Sequence, residues 1–186
     1  MDAQLFNLKR KVSQYKEALE NTLAYRKAWN EHLKKRIIET LERFNKESEL
    51  GGKIETVEEM ENLHAVVLTL GDIKSGMYTE VADKIQRHLI KNNGSLVYQQ
   101  LFNGKVIVLI NYPFIENYGS PNPPKTIAIY RPEELTEPFF LRHMEEFVAE
   151  ITKWEDYDDD EPTKRIGYNM NFGSPVDSSI RDDNAE

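Results

Sequence analysis

Residues 95–112, SLVYQQLFNGKVIVLINY, constrain the fold more tightly than any other stretch of this chain. Two β-rich runs flank Asn103-Gly104, the dipeptide that most readily takes the positive φ angles of a type I′ turn. A two-residue turn there pairs Phe102 with Lys105, Leu101 with Val106 and Val97 with Ile110. One face then carries Val97, Leu101, Val106, Val108 and Ile110, and the other carries Leu96, Tyr98, Phe102, Ile107 and Leu109. Both faces are apolar, which predicts a hairpin inside a sheet covered on both sides. A slip of one residue would exchange the faces and put Lys105 and Asn111 among the apolar residues, so the register reads as well specified.

N-terminal to this hairpin, residues 2–48 contain neither Pro nor Gly. Leu5, Leu8, Val12, Tyr15, Leu19, Leu23, Trp29, Leu33, Ile37, Leu41 and Phe44 recur at spacings dominated by threes and fours, the signature of an amphipathic helix. Unbroken, it would span roughly 65–70 Å, about twice the width of a small domain. Part of it must therefore project or pack against another chain. Leu5, Val12, Leu19 and Leu33 fit one heptad position, but Arg26 interrupts them, and the stripe drifts after Leu19. A period nearer 3.6 than 3.5 favours packing on a domain or bundle over a long supercoil.

Gly51-Gly52 stops the helix. Residues 53–57 read as a short strand and 63–70 (LHAVVLTL) as a strand rich in β-branched residues. A loop over 71–76 leads into an expected helix over 78–91, with Val81, Ile85 and Leu89 facing inward. Three prolines and a glycine within 117–125 exclude regular structure there. Residues 126–130 read as a strand and 138–154 as a last helix, anchored by Phe139, Phe140, Phe147, Ile151 and Trp154. The order implies an α+β fold: a mainly antiparallel sheet of about four or five strands with packing helices, behind a long N-terminal helix. We divide the chain into that helix (1–50), an α+β core (51–154) and an acidic tail (155–186).

Charge sharpens the division. The net −8 splits into +3 over residues 1–50, −4 over 51–154 and −7 over 155–186. The absence of cysteine excludes disulfides, thiol nucleophiles, iron–sulfur clusters and cysteine-based zinc sites. With no apolar leader and no run approaching 18 apolar residues, the chain reads as soluble and cytoplasmic, without membrane association.

Few motifs carry chemistry. Gly71-Asp-Ile-Lys74-Ser75-Gly76 follows a strand and precedes the expected helix, the setting of a phosphate-binding loop. Met77 and Tyr78 stand where that loop needs Lys and Ser/Thr, which leaves Lys74 beside a helix N-terminus as a weak anion site. The acidic run 156–161 opens like a calcium loop, but Glu161 and Gly167 occupy the positions that need Gly and Glu. Glu61-x-x-His64 lacks the second copy that a di-metal site requires. His143, Glu146 and Glu150 read as a surface ion-pair stripe. Four histidines and no cysteine leave few ligands, so no metal and no cofactor are expected. The basic clusters 9–11 and 34–36 are interleaved with glutamates under a negative net charge, which argues against nucleic acid.

What is left is regional. Tyr112, Phe114 and Tyr118 flank the proline-rich loop, and Tyr168 and Phe172 lie between polar stretches of the tail, a pattern suited to docking. The expectation is a non-enzymatic assembly component that binds protein partners or its own copies through Leu5, Val12, Leu19 and these aromatics. The competing expectation is a small-ligand or anion-binding domain, with or without enzymatic activity, at Gly71, Lys74, Ser75 and Gly76.

Overall fold

A computed structural model describes residues 2–82 and 85–157. One continuous helix opens the chain: α1 (Asp2–Ala28), a π-helical turn (Trp29–Leu33) and α2 (Lys34–Glu47). The Lys34 N–H donates back to the Trp29 carbonyl, five residues away, so this turn holds one more residue than an α turn and rotates the side-chain phase. Asn45 closes the helix end, its amide bonding the Gly52 carbonyl and its oxygen accepting the Gly52 N–H.

Strands β1 (Lys53–Val57), β2 (Ala65–Thr69), β5 (Ser95–Gln100), β6 (Val106–Asn111) and β8 (Lys125–Tyr130) form a five-stranded antiparallel sheet in the order β1-β2-β5-β6-β8. Strands β3 (Asp72–Ala82), β4 (Ile85–Asn92) and β7 (Phe114–Ile115) form a second sheet in the order β3-β4-β7. Helix α3 (Glu137–Glu155) ends the described chain. The α+β expectation, with a long leading helix and antiparallel sheets, holds.

Three expectations need correction. Residues 78–82 and 85–91 are not helical but belong to the paired strands β3 and β4, whose Asp72↔Asn92 register runs on from the β2–β5 ladder. The Leu70 N–H donates to the Gly94 carbonyl and the Asn93 N–H to the Gly71 carbonyl, so one ribbon passes from the first sheet into the second. The 81/85/89 spacing that resembles a helix stripe is overridden by this cross-strand pairing.

The second correction is the register of β5 and β6. Leu96 faces Ile110 and Tyr98 faces Val108, one residue off the type I′ expectation. Gly104 has φ 76, whereas Asn103 has no positive φ, so the loop is the three-residue turn with a glycine bulge. The Gly104 N–H donates to the Leu101 carbonyl and the Leu101 N–H to the Lys105 carbonyl, closing it. Leu96, Tyr98, Val106, Val108 and Ile110 thereby share the helix-covered face with Gln100. Gln100 is 1% exposed, and its amide finds no hydrogen bond among the described residues.

The third concerns the covering. Trp29, Leu33, Ile37 and Leu41 of the leading helix and Phe140, Met144, Phe147 and Ile151 of α3 pack with Val66, Leu68, Tyr98, Val108 and Ile110 in one core. Among the described residues no helix joins the opposite sheet face, where Val57 and Ile129 are exposed and Val67, Ile107 and Leu109 are half-buried. The sheet is covered by helices on one side.

Candidate interaction surface

Every residue from 5 to 20 of α1 is exposed. Leu5, Leu8, Val12, Tyr15, Leu19 and Leu23 lie between 43% and 67% exposed, although the same threes-and-fours spacing fully buries Ile37 and Leu41 of α2. This half of the helix does not pack on its own domain among the described residues. Where α1 does reach the domain, Thr22 and Arg26, the next d and a heptad positions along the stripe, make the contact together with Tyr25. Thr22, Tyr25 and Arg26 lie over the β5–β6 turn, and Arg26 Nη2 donates to the Phe102 carbonyl at 2.6 Å. A Cβ on Gly104 would stand 2.7 Å from Tyr25 Cβ and 3.0 Å from the Arg26 nitrogen, so glycine is needed for the approach as well as for the turn. Leu19 and Leu23 stay exposed beside this contact.

The stripe has a defined chemistry. Leu5, Val12 and Leu19 stand seven residues apart, as do Leu8 and Tyr15. Lys9, Lys11 and Lys16 border them, and none of the three forms an ion pair among the described residues.

The Gly71–Gly76 segment is part of a different device. Gly71 marks the passage into the second sheet, and Lys74 lies exposed opposite Ile90. Ser75 Oγ donates to the Leu89 carbonyl at 2.8 Å and accepts from the Met77 N–H, so Ser75 and Gly76 sit in the bulge where the β3–β4 register shifts. No helix follows, and the helix N-terminus that was to attract an anion to Lys74 is absent.

The aromatics flanking the proline-rich loop separate. Phe114 and Tyr118, with Pro113, Ile115, Pro121 and Trp154, line an apolar cleft of about 90 Å³, well below the several hundred Å³ of small-molecule pockets. Tyr112 turns aside and donates to Glu150 Oε2 at 2.8 Å. Burial and the Glu150 hydrogen bond raise the Tyr112 pKa. Lys125 reaches Glu146 at 2.9 Å and Glu150 at 3.0 Å, and these bonds, Glu146 first, raise its pKa. Burial opposes ionisation of Glu150, yet the bonds from Tyr112 and Lys125 hold its carboxyl below the usual range. This network ties β8 to α3. Tyr168, Phe172 and residues 158–161 of the acidic run lie outside the described residues.

His143 belongs to no surface stripe. It is fully buried, with Nδ1 3.0 Å from Tyr98 Oη and Nε2 3.0 Å from Tyr130 Oη. A neutral imidazole donates through one nitrogen and accepts through the other, which suits two hydroxyls. Burial, aided by Arg142 and opposed by Glu146, lowers its pKa to about 4. The signal available in the sequence was its place beside Phe140, Met144, Phe147 and Ile151, the buried stripe of α3.

Among the described residues, no group of three or more His, Asp or Glu is placed to hold a metal ion, and no helix is long and apolar enough to cross a membrane. Comparison with protein-family models, curated proteins and solved structures finds no match to this chain.

Proposed function

We propose that this protein is a non-enzymatic interaction protein, a component of a larger assembly that docks a protein partner through α1. The observation that carries the reading is the exposed leucine stripe on a helix whose residues 5–20 all face solvent. In proteins most helical stability comes from burying an apolar face. A stripe of this kind, on a helix tied to its domain only near its C-terminal end, is suited to completing itself against another chain. Residues such as Leu8 and Tyr15 would then enter the knob positions of a two-helix contact.

The test is capture of partners from the native host by the tagged full-length chain, treated with nuclease, beside a variant carrying Leu5→Ser, Val12→Ser and Leu19→Ser. The expected result is a stoichiometric protein partner that survives nuclease and is lost from the variant, at an unchanged melting temperature. Equal capture by both chains would remove α1 from the docking surface.

A further inference from the structure

We propose that the α1 stripe pairs with an amphipathic helix of a different protein whose flanking positions are acidic. This rests on the reading of α1 as a docking helix and specifies the chemistry of its partner.

Placing Leu5, Val12 and Leu19 at heptad position a puts Leu8, Tyr15 and Thr22 at d. The positions that border such a seam, e and g, are filled from residue 4 to residue 18 by Gln4, Lys9, Lys11, Lys16 and Ala18, without a single acid. Glu17 and Glu20 fall at f and b, away from the seam. Charges at e and g choose the partner and orientation of a coiled coil. Parallel pairing of two copies sets Lys11 against the second copy's Lys16. Antiparallel pairing sets the Lys9–Lys16 edge against itself and the Lys11 edge against itself. Both arrangements oppose like charges, so the sequence disfavours self-pairing in either direction. Glu or Asp at the facing positions of another helix would supply the missing partners for all three lysines, none of which has one among the described residues.

The shape of the stripe favours a helix over a lipid surface. At 100° per residue, Leu5, Leu8, Val12, Tyr15 and Leu19 fall within an arc of roughly 80°, the narrow seam of a two-helix contact. A helix lying in a membrane interface presents a broader apolar face. Phe6, which is 67% exposed, stands well outside the arc and does not widen it.

The experiment uses the full-length chain and two synthetic three-heptad peptides, each with Leu at every a and d position. One carries Glu at every e and g position, the other Lys. Binding is read by fluorescence anisotropy, and protection of residues 5–20 by amide hydrogen exchange. The acidic peptide should bind at least tenfold more tightly than the basic one, lose affinity as salt rises, and slow exchange across residues 5–20. The charge-reversed chain, Lys9→Glu with Lys11→Glu and Lys16→Glu, should exchange that preference for the basic peptide.

Equal binding of both peptides, lost in the Leu5/Val12/Leu19→Ser variant, would overturn the acidic partner while leaving α1 as a docking helix. Failure of both peptides to bind, together with host capture unaffected by the serine variant, would overturn both readings. A concentration-dependent dimer of the chain alone in sedimentation, with α1 protected in it, would overturn the proposal in favour of a second copy. Protection of α1 by phosphatidylserine vesicles, with neither peptide bound, would overturn it in favour of a membrane surface.

Discussion

Helices α1 and α2 are two halves of one continuous rod with similar apolar spacing, yet they meet opposite fates. Ile37 and Leu41 of α2 are sealed against the sheet, and Leu5, Val12 and Leu19 of α1 are in water. Periodicity therefore reports that a helix has a face, but not what covers that face. Between the halves, Thr22 and Arg26, which continue the stripe, meet the β5–β6 turn beside Tyr25, and the π turn then shifts the side-chain phase. Trp29 and Leu33 of the turn itself already belong to the core. The two halves thus place a buried face and an exposed one along a single element.

The sharpest way to break that comparison is at its boundary. Trp29 is fully buried, and Trp29→Ala removes a large side chain from the core that α2 shares with α3. Such truncations destabilise by about 3–5 kcal/mol, a large fraction of the stability of a domain this size. Denaturant unfolding of the full chain should show this loss in the midpoint. A change below about 1 kcal/mol would mean that the turn belongs with α1 and not with the core.

A somewhat smaller effect should come from acid, and it too should fall on the α2 side of the divide. The folded state holds the His143 pKa near 4, against about 6.5 for an unperturbed ring. The unfolded chain consequently binds more protons between these values, and stability rises with pH across that window. The contribution is fully present above pH 6.5 and fades as pH falls toward 4, by on the order of 3 kcal/mol at most. Unfolding measured from pH 7 to pH 4 should show this slope. His143→Gln, which cannot titrate, should flatten it, and an equal slope in both chains would assign the acid sensitivity to carboxylates elsewhere.

These two effects bear on what the sequence made legible. The long helix, β1, β2, β8 and α3 were readable because each is a periodic or β-branched run bounded by glycine, proline or a polar turn. The β5–β6 strands were readable but their register was not, because Asn103-Gly104 serves two turn types and the α1 contact at Gly104 is a long-range fact. The β3–β4 strand pair was hidden by Val81, Ile85 and Leu89, whose spacing suits a helix, while its pairing is set by a ladder that begins at Ala65 and Gln99. His143 was misread because Glu146 and Glu150 share its side of α3, and only the sheet shows which neighbours it meets. The α1 stripe was the part of the candidate surface most fully written in the sequence. The Gly71–Gly76 segment was the least, since its meaning depended on a helix that is not there.

The smallest expected effect tests the comparison most directly. Leu19 and Leu41 are the same residue type on the same rod, 51% and 0% exposed. Leu41→Ala should destabilise by about 2–5 kcal/mol, because it leaves a cavity in packed surroundings. Leu19→Ala leaves none, and alanine is the better helix former, so its effect on unfolding should lie within about 0.5 kcal/mol of zero. Both substitutions delete the same atoms, so the contrast isolates what covering them contributes, transfer out of water plus the cavity left behind. If Leu19→Ala cost as much as Leu41→Ala in the isolated chain, the stripe would already be buried in solution, by another copy or by residues 158–186. A dilution series would then separate those two covers, since the first loses its penalty on dilution and the second does not.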